Sequence, residues 1–234
     1  MLLNFSFQNF RSYRDAQQFS MERSKSAQKR DSATWGHNNV SVATGVYGGN
    51  ASGKSAFLNS IRFVAGYIAR GFSGNIDLAE ELSPFLLDND SRNDATKFLV
   101  EFIGPNEGHY QYEFDITRER VYYEELRKYN GARSSRLFLR EFSTNQSEYM
   151  YSYGRAFRGN KKVYEDITRP DALMLSALHA ANCELTEEAY QEFSDNFGFF
   201  EASGYRRELS LIKQDLSERT AMGRALQMVM ASSG

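Results

Sequence analysis

A single cysteine, Cys183, leaves this 234-residue chain no intrachain disulfide to form. Lys and Arg number 28 against 30 Asp and Glu, a formal net charge of −2, so there is no global electrostatic pull toward nucleic acid or an anionic surface. Long apolar runs are also missing. The longest, residues 172–181, is about half the ~20 residues a bilayer span needs, and Ser176 and His179 interrupt it. The opening Met1-Leu2-Leu3-Asn4 has no charged region leading into a hydrophobic stretch and cleavage site, so a cytoplasmic chain is expected. With three histidines and one cysteine there is no metal-ligand spacing, and His179 reads as a core or boundary histidine.

Prolines are scarce as well, three in all, while aromatic residues make up 14% of the chain and fall in alternating runs. That combination favours sheet in the first two thirds. Leu3, Phe5 and Phe7 alternate with polar residues, and residues 18–21 are placed to return as a hairpin partner. Residues 23–39 read as a long exposed loop with a cationic cluster at Arg23, Lys25, Lys29 and Arg30, after which Val40, Val42, Val46 and Tyr47 resume strand character. Phe98, Val100 and Phe102, then Tyr110, Tyr112, Phe114 and Ile116, flank the turn-forming Pro105-Asn106-Glu107-Gly108. Strand-like runs at 121–129 and 137–142, separated by Asn130-Gly131, extend an antiparallel meander. Beyond Pro170 the texture turns helical. Thr186 is a candidate cap, Ala189, Phe193 and Phe197 a buried face, and Leu209, Ile212, Leu216, Leu226, Val229 and Met230 further helical positions.

The most specific feature is Gly48-Gly49-Asn50-Ala51-Ser52-Gly53-Lys54-Ser55, which fits G-x-x-x-x-G-K-[ST] in full. Glycines let successive backbone amides converge on one anion. Phe57, Leu58, Ile61, Val64, Ala65 and Ile68 recur at helical spacing directly after the loop, which brings a helix N-terminus to bear on the same anion. Lys54 is placed to reach β- and γ-phosphates, and Ser55 to ligate Mg²⁺. ATP with Mg²⁺ is the expected ligand.

The loop sequence, with Asn9-Phe10-Arg11-Ser12 closing the first strand, resembles the ABC-type ATPases of the RecF, SMC and OLD group. The opening residues 2–13, and Ser91 to Phe98 leading into paired strands, look closest to the predicted AAA-family ATPases of bacterial anti-phage and abortive-infection operons. The resemblance spans roughly residues 1–200. It implies that the first strand pairs beside the phosphate-loop strand and that Arg11 lies near the nucleotide phosphates. It also implies ATP-dependent dimerisation, in defence or DNA-associated work.

Other expected parts are missing. No apolar strand ends in a carboxylate pair: Tyr112-Glu113-Phe114-Asp115 alternates like a half-exposed strand. There is no Leu-Ser-x-Gly signature, and Gln146 is only a loop candidate for sensing a γ-phosphate. In the resembled group these elements lie in a C-terminal lobe, so a partner chain or missing lobe is expected to complete the site. The fold class expected is α/β, a phosphate-loop lobe with a mixed sheet. It divides into residues 1–93 with the loop and its helix, an antiparallel meander subdomain over 94–155, and a helical third over 156–234. A nucleotide-gated scaffold without hydrolysis and a small-molecule kinase are the alternatives, the kinase disfavoured by the meander. A DNA surface is conceivable at Arg23 to Arg30 with Arg155, Arg158, Lys161 and Lys162 near Tyr151 and Tyr153.

Overall fold

The computed structural model describes residues 1–22, 32–35, 38–41, 43–74, 76–158 and 160–199. The chain divides into the units Met1–Phe197 and Gly198–Gly234, and the account below concerns the first. The expected helical positions from Leu209 to Met230 and the cations Arg23 to Arg30 lie outside the described residues.

Alternation dictates the sheet. In β1 (Leu2–Gln8) Leu3, Phe5 and Phe7 are buried and every other residue is not, so one face must be covered. β2 (Gln17–Ser20) returns beside it as the expected hairpin partner. β5 (Thr96–Ile103), β6 (His109–Ile116), β7 (Val121–Asn130), β8 (Arg133–Ser143) and β9 (Glu148–Tyr153) follow as a meander, and the strand order is β2-β1-β5-β6-β7-β8-β9. All described ladders are antiparallel, so the α/β class holds while the parallel pairing of a mixed sheet is not found among the described residues. A second pair, β3 (Ser32–Trp35) with β4 (Asn38–Ser41), occupies part of the segment expected to be a loop. Val40 packs there with Leu3 and Ile103 in a small core of its own.

The strand expected to run straight into the phosphate loop is the main departure. β4 stops at Ser41, and residues 43–49 form no strand; Val46 is 41% and Tyr47 93% exposed. β1 accordingly takes β2 and β5 as neighbours rather than a phosphate-loop strand. Among the described residues no strand forms a ladder with 43–49, and the hydrogen bonds of its end are local, from Lys54 and the Ser52 amide to the Gly48 and Gly49 carbonyls.

Helices cover the aromatic face. α1 (Lys54–Arg70) lays Phe63, Val64, Tyr67 and Ile68 on it, with Phe63 centred 5.4 Å from Phe98 and Tyr67 6.2 Å from Phe114. Phe57 and Ile61 pack at the edge of this core, whereas Leu58, assigned to the same stripe by spacing, is 55% exposed. α2 (Leu78–Glu81) and α3 (Asn89–Asn93) are single turns before β5. α4 (Lys161–Ile167), α5 (Met174–Ala180) and α6 (Glu184–Asp195) follow the meander, and Phe193 on α6 meets Phe102 at 4.8 Å. α6 begins before Thr186, which is buried in the first turn instead of capping it.

A buried charge pair ties these layers together. Glu124 on β7 and Arg140 on β8 are both fully buried, 3.7 Å apart. Glu124 accepts from the Met174 and Leu175 amides at 2.7 and 2.9 Å and from the Tyr112 hydroxyl at 2.7 Å, so a carboxylate from the sheet caps α5. Arg140 donates to the Ala172 and Arg169 carbonyls at 2.8 and 2.9 Å. Burial raises the Glu124 carboxyl above its ordinary range, against the pull of Arg140 and the donors around it.

The segment so fixed in turn holds the end of α1. The Ile68 carbonyl accepts from Ser176 at 2.7 Å, Ala69 from Tyr190 at 2.9 Å, and Gly71 and Phe72 from Arg169 at 3.3 and 2.9 Å. Arg70 is satisfied by Ser73 at 2.7 Å, and Tyr67 reaches the Asp171 carbonyl. Carbonyls that a helix end leaves without intrahelical partners are here taken by Ser73, by α5 and α6, and by Arg169 before α5.

Candidate nucleotide site

The phosphate loop wraps the opposite end of the same helix. Gly53 sits at φ 94°, a left-handed conformation, and a Cβ there would lie 2.5 Å from the Tyr13 hydroxyl oxygen. Backbone and space thus both require glycine. A Cβ at Gly48 would meet Ser52 Oγ at 2.5 Å, so the loop closes tightly on itself. Ala51 is also left-handed, at φ 61°. The Lys54 ammonium folds back over the loop, donating to the Gly48 and Gly49 carbonyls at 2.7 and 2.6 Å with Ser52 Oγ at 3.5 Å. α1 has no side-chain N-cap and no acid in its first turn, so the helix itself does not offset the positive end of its dipole.

These features suit a triphosphate. A cradle that excludes side chains, an ammonium held by weak carbonyl acceptors and a bare helix terminus each favour an incoming anion. Gly48 to Lys54 would hold the phosphates, and the exposed Ser55 would ligate Mg²⁺. When bound, that ion would neutralise phosphate charge.

Arg11 is brought elsewhere. It lines a cleft with Asn59, Arg62, Phe63, Arg70 and Glu81 on the flank of α1, its guanidinium 5.6 Å from the Phe10 ring centre. It is Tyr13 that backs the loop. The turn carrying both is heavily fixed: Phe10 and Tyr13 exchange backbone bonds at 2.9 and 3.0 Å, and the Arg11 amide donates to Ser83 at 2.7 Å. Asn9 is the hub. Its side chain donates to the Ser91 and Asp94 carbonyls at 2.7 and 3.0 Å and accepts from the Phe85 amide at 2.9 Å. Asn9 and Tyr13 were visible in the sequence as motif letters, but spacing alone gives no sign of these long-range partners.

Other candidates stay apart from the loop. Gln146 is exposed in the β8–β9 turn. His179 pairs with Glu187 at 2.8 Å and stacks on Tyr190, a boundary histidine as expected. Lys161 lies over the Tyr153 ring at 5.0 Å, and Lys162 pairs with Glu165 and Asp166 at 3.6 and 3.2 Å. Glu113 and Asp115 stand half-buried on β6, where burial raises both carboxyls. Among the described residues, no helix is long and apolar enough to cross a membrane, and no cluster of three or more His, Cys, Asp or Glu side chains could hold a metal.

A glycine cradle closed on its own lysine, at the bare N-terminus of a long helix packed on a sheet, defines a phosphate-loop nucleotide-binding protein of the α/β class. A family model described as "AAA domain, putative AbiEii toxin, Type IV TA system" matches residues 43–229, more than three quarters of the chain, and the chain belongs to that AAA-domain family. No curated protein matches it.

Proposed function

We propose that the chain is the ATP-binding lobe of an ABC-type ATPase of the RecF, SMC and OLD kind, acting in bacterial anti-phage defence through ATP-dependent pairing of lobes. The observation that carries this reading is the loop's setting. The cradle and the bare start of α1 face solvent, and three exposed apolar side chains, Val46, Tyr47 and Leu58, lie on the segment before the loop and the first turns after it. An apolar rim beside a nucleotide site suits a second surface that closes over it. The toxin–antitoxin wording of the family's description fits a defence role but gives no partner. In this reading Lys54 and the loop amides bind the triphosphate, Ser55 holds Mg²⁺, and a second lobe supplies the acidic and signature residues that the sequence lacks.

The test is calorimetry and light scattering with Mg-ATP on the native chain and Lys54→Ala. Tight binding and ATP-dependent association, both lost in the variant, are expected. Association without nucleotide, or hydrolysis by a strictly monomeric chain, would overturn the pairing. A second reading, a nucleotide-gated scaffold that binds without hydrolysing, draws on the lack in the sequence of an apolar strand ending in a carboxylate pair. Binding and pairing with no turnover in any assembly would favour it.

A further inference from the structure

The sheet ends in two unlike edges. At one, β2 is only four residues long, and the chain just past it is covered: the Met21 carbonyl accepts from the Ser41 amide at 2.8 Å, and Glu22 bridges to Val40. At the other, β9 has six residues, and its register against β8 runs without a bulge. The Gly154 amide donates to the Leu137 carbonyl at 2.9 Å, which fixes the alternation. Glu148, Met150 and Ser152 turn their backbone groups to β8, so Tyr149, Tyr151 and Tyr153 turn theirs away from it. Among the described residues nothing bonds these outward amides and carbonyls. α4 packs on the tyrosine side chains instead, with Lys161 over the Tyr153 ring at 5.0 Å and Glu165 accepting from its hydroxyl at 3.1 Å. The usual guards of an edge are missing: β9 holds no proline, lysine or arginine, and its Met150 is 48% exposed.

We infer that β9 is a strand-addition site, taking an extended segment of another protein as an eighth strand antiparallel to it. The three outward residues supply the main-chain bonds, and the side chains on either face set what is accepted. Tyr149, Tyr151 and Tyr153 form a ladder, the last two stacked at 6.4 Å, and pair best with aromatic or β-branched residues at alternate positions. This ladder is already ordered. The Tyr149 hydroxyl donates to the Val121 carbonyl at 2.9 Å and Arg140 lies 4.0 Å over its ring, so little side-chain freedom is lost on binding. The ends of β9 give the segment its polarity. Glu148 opens the strand and Arg155 follows it; both are exposed, and neither is in an ion pair among the described residues. An antiparallel segment that begins with an acid and ends with a cation sets opposite charges against both. A second copy of β9 cannot do so. Backbone pairing needs outward residues opposite outward residues, so Glu148 of one copy would face an even-numbered residue of the other and never Arg155.

The experiment is fluorescence anisotropy on the full chain with the labelled, end-blocked peptide Glu-Thr-Val-Thr-Tyr-Thr-Val-Lys, followed by amide hydrogen exchange in the complex. Binding should protect the amides of Tyr149, Tyr151 and Tyr153 and leave those of Met150 and Ser152, already in the ladder, unchanged. Exchanging the terminal charges, as Lys-Thr-Val-Thr-Tyr-Thr-Val-Glu, should weaken binding several-fold. Tyr151→Pro should weaken it at least about tenfold, because proline there removes an outward donor and no bond to β8. Methylating the Val and Tyr amide nitrogens of the peptide should abolish binding, and methylating its Thr amides should not, a contrast that needs no change in the protein. Lys54→Ala should bind the peptide as the native chain does, so this inference and the nucleotide reading fail separately. Absence of saturable binding, or equal affinity for the native, charge-exchanged and methylated peptides, would overturn the inference. So would nucleotide-free dimers in light scattering that Tyr151→Pro abolishes, which would put a second copy on this edge.

Discussion

The two ends of α1 follow opposite rules. At the C-terminal end five carbonyls, from Ile68 to Phe72, accept hydrogen bonds from Ser176, Tyr190, Ser73 and Arg169. At the N-terminal end there is no side-chain cap, no acid in the first turn, and a glycine loop whose lysine bonds back onto the loop itself. One end is satisfied by the protein and the other is left for a ligand. A helix fixed at one terminus and unsatisfied at the other holds its binding surface in place without stabilising it, the usual trade between stability and function.

The comparison can be broken from either side. Arg140→Met should have the largest effect, destabilising the fold by about 3–5 kcal/mol in urea titration, because Glu124 is then buried without its counter-charge and the 169–176 segment loses its anchor. Replacing both partners with apolar residues should recover most of that loss. At the free end, Lys54→Ala should lower Mg-ATP affinity by at least about 100-fold in calorimetry while shifting the melting temperature little. Gly53→Ala should cost about 1–2 kcal/mol of thermal stability and weaken nucleotide binding, and adding Tyr13→Phe should relieve part of the clash. Ser176→Ala and Tyr190→Phe should each cost about 1 kcal/mol with nucleotide affinity nearly unchanged. The smallest stability effect, within about 0.5 kcal/mol, is expected for Leu58→Glu, which should nonetheless remove ATP-dependent association in light scattering.

What the sequence made legible follows from short-range physics. β1, β5 and β6 were readable because their aromatic residues alternate strictly, and α1 because a phosphate-loop motif hands directly into a helical period. β9 falls inside the meander expected over 94–155 but was not named as a strand: its tyrosines at 149, 151 and 153 alternate, yet the apolar Met150 between them blurs the contrast between faces. Glu124 was missed because an irregular register on β7 buries Glu124, Glu125 and Leu126 in succession, which a period of two cannot anticipate. Phe63 and Tyr67 escaped because the stripe traced from Phe57 and Leu58 is rotated from the one that meets the sheet. The loop's residues were named correctly, but its supports, Tyr13 and Asn9, act through contacts made far along the chain.

The placement of β1 also sets an order of assembly. From β5 to β9 each strand pairs with its sequence neighbour, so these hairpins close over short separations. β1 instead joins β5 across some ninety residues, as in Phe5 opposite Val100, a closure with a larger entropic barrier. Hydrogen-exchange labelling during refolding should therefore find the β6–β8 amides protected before those of β1. Since Tyr13, which backs the glycine cradle, hangs from β1, a newly made chain gains its nucleotide site last, when the rest of the sheet has captured its first strand.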